Sequence, residues 1–116
     1  MIILFDEEKR LFHLKTRKSS YQIKISELGH LLHVYYGASV DDDMSYLIDR
    51  QDRGFSGNPW DAPDRTYSLD TLPQEYPFWG SGDYRETCLE QKDACGALAA
   101  DYRYASPVSY THLRAH

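Results

Sequence analysis

The sequence is poor in cysteine. Cys88 and Cys95 are the only two, and they form neither a C-x-x-C pair nor a Cys/His zinc spacing. Two thiols make no disulfide framework, so a stapled secreted scaffold is not expected; reduced thiols in a soluble, cytoplasmic protein are. Long apolar runs are also missing. Residues 1–5 are apolar but run straight into Asp6-Glu7-Glu8. A signal peptide needs a basic start and a longer apolar stretch. Nothing approaches the ~18 apolar residues of a membrane helix, so no membrane partner is expected. Positive charge is scarce too: 13 Lys and Arg against 18 Asp and Glu give a net charge of −5. Lys15, Arg17 and Lys18 form the one basic cluster, and it reads as a solvated turn. Nucleic acid and anionic lipid both attract basic patches, so neither is an expected partner.

Aromatic residues, by contrast, are plentiful, at 14% with ten tyrosines. Tyr and β-branched residues favour strands. In Ser20-Tyr21-Gln22-Ile23-Lys24-Ile25 the alternation is strict, with Tyr21, Ile23 and Ile25 on one face and Gln22 and Lys24 on the other. That is the period of a half-buried strand. Apolar runs at 2–5, 11–14 and 31–36, with polar or Gly-containing stops between them, complete a meander of antiparallel strands. Residues 37–66 differ. They hold Gly37, Gly54, Gly57, Pro59, Pro63 and many Asp, with room for one helical turn over 44–50. A long irregular excursion is expected there. Its Tyr46, Leu47, Ile48, Phe55 and Trp60 argue for order, because they are costly to leave in water. Strand character is expected to return over 66–104, ending in a hairpin around Cys95-Gly96. The fold class is all-β: a partial antiparallel β-sandwich with a long irregular loop.

No catalytic set stands out. No serine sits in G-x-S-x-G, and there is no phosphate-binding glycine loop. His30 and His33, three apart, would point to opposite faces of a strand, which disfavours a metal site. Asp41-Asp42-Asp43 lacks the spaced ligands and closing Glu of a calcium loop. Neither metal nor cofactor is expected. More suggestive is Asp52-Arg53-Gly54-Phe55-Ser56-Gly57-Asn58-Pro59-Trp60, which puts a carboxylate, a guanidinium, an amide and two large aromatics within nine residues. Sugars are held by that mixture, with charged groups on vicinal hydroxyls and aromatics on the apolar ring face. Asp64-Arg65 repeats the acid/base pair. These residues equally suit a loop whose Asp and Arg pair with each other to fix its shape.

The ordered series of motifs resembles the N-terminus of family-36 glycoside hydrolases, the tetrameric bacterial α-galactosidases. The matching elements are Phe12-His13-Leu14, Ser20-Tyr21, Leu32-His33-Val34-Tyr35-Tyr36-Gly37, Asp52-Arg53-Gly54-Phe55-Ser56 and Asp64-Arg65-Thr66-Tyr67-Ser68-Leu69-Asp70. They continue with Gln74-Glu75-Tyr76-Pro77, Gly82-Asp83-Tyr84-Arg85 and Asp101-Tyr102-Arg103-Tyr104. The resemblance implies a large N-terminal β-sandwich, then a (β/α)8 barrel, then a small β-domain. It implies retaining hydrolysis of terminal α-linked galactose, as in melibiose and raffinose. That chemistry needs two carboxylates, a nucleophile and an acid/base. In the family both lie on the barrel, so no residue of this chain is expected to be catalytic. The family's long sandwich loop helps hold galactose in a neighbouring subunit's site. The positions that carry over are Asp52 and Arg65, as substrate-binding residues.

The sequence departs from that pattern in three ways. The family's sandwich is roughly two to three times longer. Residues 107–116 no longer follow it and are expected to be a non-native tail, leaving 1–106 as an incomplete domain. Cys88 and Cys95 fall where the family needs none. A stand-alone carbohydrate-binding module and a purely structural β-sandwich are the alternatives to an α-galactosidase fragment.

Overall fold

The computed structural model describes residues 1–50, 57–78, 85–87, 92, 94–96 and 101–107. Four strands form one antiparallel sheet in sequence order: β1 (Ile2–Asp6), β2 (Leu11–Lys15), β3 (Ser19–Ile25) and β4 (Leu31–Ala38). Each pair is joined by a short polar turn, as the breaks between apolar runs dictate. The β3–β4 turn needs Gly29, whose φ of +91° is left-handed. A Cβ at Gly29 would also sit 3.3 Å from the Cβ of Arg103. Between β3 and β4 the register slips at Gln22/Ile23: Gln22 faces Tyr35, Ile23 faces His33, and Val34 is the extra residue of a bulge.

The two faces of the sheet carry different chemistry. One face bears Phe5, Phe12, Tyr21, Ile23 and Tyr36. Phe5 and Phe12 stack at 4.4 Å between centroids and Tyr104 packs on both; Tyr21 meets His33 and Tyr36 edge-on. The other face carries His13, Ser20 and Gln22, and all three are buried. Of the three residues expected on the apolar side, Ile25 is buried and Tyr21 and Ile23 are half-buried, yet Gln22 on the other side has no exposed surface either, so both faces of β3 are covered. The reason is the chain after β4, which crosses the polar face and bonds to it. Ser20 Oγ donates to the Val40 carbonyl and accepts from its N–H, at 3.1 and 2.9 Å. Gln22 Nε2 donates to the Asp42 carbonyl at 2.7 Å, and its Oε1 accepts from the Met44 N–H at 2.9 Å. Lys15 pairs with Asp41. Buried amide and hydroxyl groups are tolerable because each finds a partner.

The helical turn is a short 3-10 segment, Ser45–Leu47. Beyond it, the apolar core gathers Leu32 of β4 with Tyr67, Leu69 and Leu72, and Leu28, Ile48 and Ala62 pack around them. Residues 66–78 therefore supply core, yet no strand. Their one sheet-like contact is the bridge from Gln74 to Leu32, flanked by His33 N–H to Pro73 O and Glu75 N–H to Leu31 O. Of the strand character expected over 66–104, the part over 66–78 is corrected to a series of turns, because residues 67–72 close local hydrogen bonds, several on Ser68 and Asp64, instead of a ladder. Most of the hairpin expected around Cys95-Gly96 lies outside the described residues. The excursion is also wetter than its composition suggested: Tyr46, Leu47 and Trp60 are exposed, and only Ile48 of the described four joins the core. No helix among the described residues is long and apolar enough to cross a membrane.

Candidate functional site

The loop between the 3-10 turn and the core strandless segment is built from both ends. On its leading limb Arg50 donates to Glu27 at 2.5 Å and lies over the Tyr67 ring at 5.4 Å. On its trailing limb Asn58 Nδ2 donates to the carbonyls of Arg65 and Tyr67, at 3.1 and 2.7 Å, and Ser68 Oγ donates to the Gly57 carbonyl at 3.0 Å. A turn from Pro59 to Ala62 closes by the Ala62 N–H to the Pro59 carbonyl at 3.0 Å and leaves Trp60 94% exposed. Asp64 accepts from the Thr66 N–H at 2.8 Å and from the Thr66 hydroxyl. These two bonds hold its carboxyl below the usual range, so it is ionised at neutral pH. Arg65 sits at the outside of this frame with an exposed side chain. Asp52, the other expected sugar ligand, lies outside the described residues.

Beneath the loop runs a polar chain that is buried at Ser26, His30 and Tyr67 and reaches the surface at Asp101, Arg103 and Asp61. Tyr67, without exposed surface, places its hydroxyl 2.5 Å from Ser26 Oγ and 2.6 Å from His30 Nδ1. The other imidazole nitrogen, Nε2, is 2.9 Å from Asp101 Oδ1. For a neutral His30 imidazole, proton counting gives the directions. Asp101 accepts, so Nε2 carries the proton; Nδ1 then accepts from Tyr67, Tyr67 accepts from Ser26, and Ser26 Oγ accepts from the His30 N–H at 2.9 Å. Burial pushes the Tyr67 phenol up and keeps it protonated. Burial also works against ionised Asp101, but the hydrogen bonds from Arg103 and His30 outweigh it and depress its carboxyl. Arg103 extends the chain to the loop itself, binding Asp101 Oδ2 at 2.8 Å and Asp61 at 2.8 and 3.4 Å. The two carboxylates raise the Arg103 guanidinium further above its ordinary value.

The two histidines do separate in space. His30 belongs to this chain, whereas His33 Nδ1 meets Glu75 at 3.0 Å on the aromatic face. Among the described residues no three His, Cys, Asp or Glu groups come together as metal ligands. A small cleft of about 100 Å³ lies beside the chain, lined by His30, Gln74, Tyr76, Tyr102 and Arg103. It is too small to bury a sugar ring.

The glycosyl hydrolase family 36 N-terminal domain matches residues 29–114. The chain belongs to this family. It is 48% identical over 107 residues to the bifunctional alpha-galactosidase/sucrose kinase AgaSK of Mediterraneibacter gnavus, covering 91% of this chain and 11% of that protein. It is 40% identical over 105 residues to the alpha-galactosidase AgaA of Geobacillus stearothermophilus, covering 90% and 14%. The solved galactosidase domain of AgaSK superimposes with a TM-score of 0.86 at 46% identity, over 90% of this chain and 15% of that one. AgaA variants have been solved with raffinose and with stachyose; they align with a TM-score of 0.75 at 42% identity, over 83% of this chain and 13% of theirs. The chain thus spans 11–14% of the length of the curated relatives it matches. The family match extends into 107–114, inside the segment that the sequence pattern sets apart as a tail, and 108–116 lie outside the described residues.

Within this family 36 domain, the sequence motifs pointed to Asp52 and Arg65 and passed over the groups that frame them. Asn58, Tyr67, Asp101 and Arg103 lie in quoted segments, and His30 and Ser26 do not. Their signal was weak because each is an ordinary polar residue until the turn at 26–30, the loop and residues 101–103 meet.

Proposed function

We propose that this chain is the N-terminal portion of an α-galactosidase that hydrolyses terminal α-linked galactose, as in melibiose and raffinose. Family membership is the observation that carries the reading. Neither carboxylate of the retaining pair belongs to this segment. Its part is to bind: Asp52 accepts hydrogen bonds from galactose hydroxyls, and Arg65 donates to the sugar or braces the loop. The frame around Arg65 supports this, since Asn58 holds the Arg65 and Tyr67 carbonyls and the backbone there is already ordered before a sugar binds. The working enzyme is a cytoplasmic homotetramer in which the loop reaches a neighbouring subunit's site.

The test is steady-state kinetics on raffinose with the full-length protein. An ionised carboxylate that binds hydroxyl donors contributes about 1.5–3 kcal/mol, so Asp52→Ala should lower kcat/KM about tenfold or more. Arg65→Ala should raise KM less steeply. Unchanged values in an intact tetramer would assign both residues to loop shape alone. The 116-residue chain by itself should release no p-nitrophenol from its α-galactoside above a buffer blank.

A further inference from the structure

The tip of the loop has only a light apolar anchor: Pro59 is buried and Ala62 rests against the core, while Trp60, Pro63, Asp64 and Arg65 are exposed. Directional polar contacts add to that anchor. Tyr67 follows Arg65 by two residues and shares the Asn58 carboxamide with it, which couples the Tyr67 backbone to that of Arg65. The Tyr67 hydroxyl is held by Ser26 and His30, both from the β3–β4 turn. Further back on the same trailing limb, Asp61 is held by Arg103. Arg103 and His30 then meet on one carboxylate, Asp101. The result is one continuous chain, Ser26–Tyr67–His30–Asp101–Arg103–Asp61, that takes the trailing limb at two points on either side of Arg65 and fixes it to the sheet. The backbone joins it as well, through the Tyr104 N–H to the Gly29 carbonyl at 2.7 Å.

Resting on the reading that this loop holds substrate, we propose that the Ser26–Tyr67–His30–Asp101–Arg103–Asp61 chain is a positioning device that sets the substrate-binding loop, and with it Arg65, at the depth and angle the sugar requires. None of these groups touches the substrate. Hydrogen bonds weaken steeply with angle, so the chain tolerates one arrangement of the trailing limb and resists others. Losing a link lets the limb shift, and a binding group that must be ordered again on association holds its ligand less tightly.

The experiment uses the full-length enzyme with raffinose as the varied substrate. Tyr67→Phe removes the hydroxyl and keeps the ring in the core. Asp61→Ala cuts the chain at its surface end, where the core is untouched. Both should raise KM about five- to tenfold with kcat within twofold, because the carboxylates that do the chemistry are elsewhere. Both should add nothing when combined with Arg65→Ala, since they act through the same loop. If Tyr67→Phe fails to fold, Asp61→Ala decides alone. KM unchanged in both variants while Arg65→Ala and Asp52→Ala raise it would overturn the positioning role and leave the substrate reading standing. Losses shared equally by kcat and KM, and additive with Arg65→Ala, would overturn it as well, as signs of a general structural defect. No change in Arg65→Ala and Asp52→Ala themselves would remove the substrate reading and the positioning role together.

Discussion

Residues 1–38 and residues 39–78 are folded by different means. The first region is a sheet whose ladder is regular except at one bulge, and whose pairing follows chain order. Any sequence with the right alternation and turns would build it. Among its described residues the second region has a single 3-10 turn and no strand, and it is held by side chains that reach from the sheet to its backbone. Regular structure satisfies its own backbone groups, so its side chains are free to pack. Irregular chain does not, and must borrow partners. That is why a fully buried glutamine and a buried serine sit on the strand next to it. Two kinds of tie join the regions, one apolar and one polar, and they can be cut separately.

The largest effect is expected from the apolar tie. Leu32 is 1% exposed and joins β4 to Tyr67, Leu69 and Leu72. Leu32→Ala should cost about 3 kcal/mol, through lost transfer and the cavity left behind. In the full-length protein this reads as a fall of about two orders of magnitude in hydrogen-exchange protection at the Leu72 amide, bonded to the Ser68 carbonyl, and the Glu75 amide, bonded across to the Leu31 carbonyl of β4. A loss below tenfold would mean that the apolar cluster does not hold the two regions together.

Cutting the polar tie should cost less and act more locally. Gln22→Leu keeps the volume but strands the Asp42 carbonyl and the Met44 N–H, at about 2 kcal/mol. Protection at the Met44 amide should drop while amides in the β1–β2 ladder keep theirs. Equal losses in both places would erase the distinction between a self-sufficient sheet and a dependent loop.

The smallest effect is a pH dependence at the far end of the polar network. The Asp101 carboxyl is depressed below its ordinary 3.8, because hydrogen bonds from Arg103 and His30 more than offset the opposing effect of burial. A group whose folded value is lowered stabilises fully above the unfolded value and loses that contribution as pH falls through the folded one. Protection of the Tyr104 amide, corrected for intrinsic exchange, should therefore hold steady from pH 7 to about 4.5 and weaken below about 4. A loss already complete at pH 5 would point to another group and detach Asp101 from the docking of residues 101–104.

The amino-acid pattern alone determined the all-β class, the four strands and their turns, because period-two alternation and Gly29 act over a few residues. It also located the irregular excursion and, through the ordered motifs, the family. What alternation did not show was that the polar side of β3 is covered as well. Ile25 on the apolar side is buried, but so is Gln22 on the other, and only the path of residues 39–48 accounts for that. Hydrophobicity records what a side chain costs in an apolar surrounding. It does not record that a backbone carbonyl from twenty residues away will stand 2.7 Å from its amide. The same holds for the loop frame: Ser26, His30, Tyr67, Asp61, Asp101 and Arg103 are scattered over 78 positions in sequence (103 − 26 + 1). Tertiary structure alone brings them into one hydrogen-bonded chain, because directional polar contacts depend on where distant segments meet.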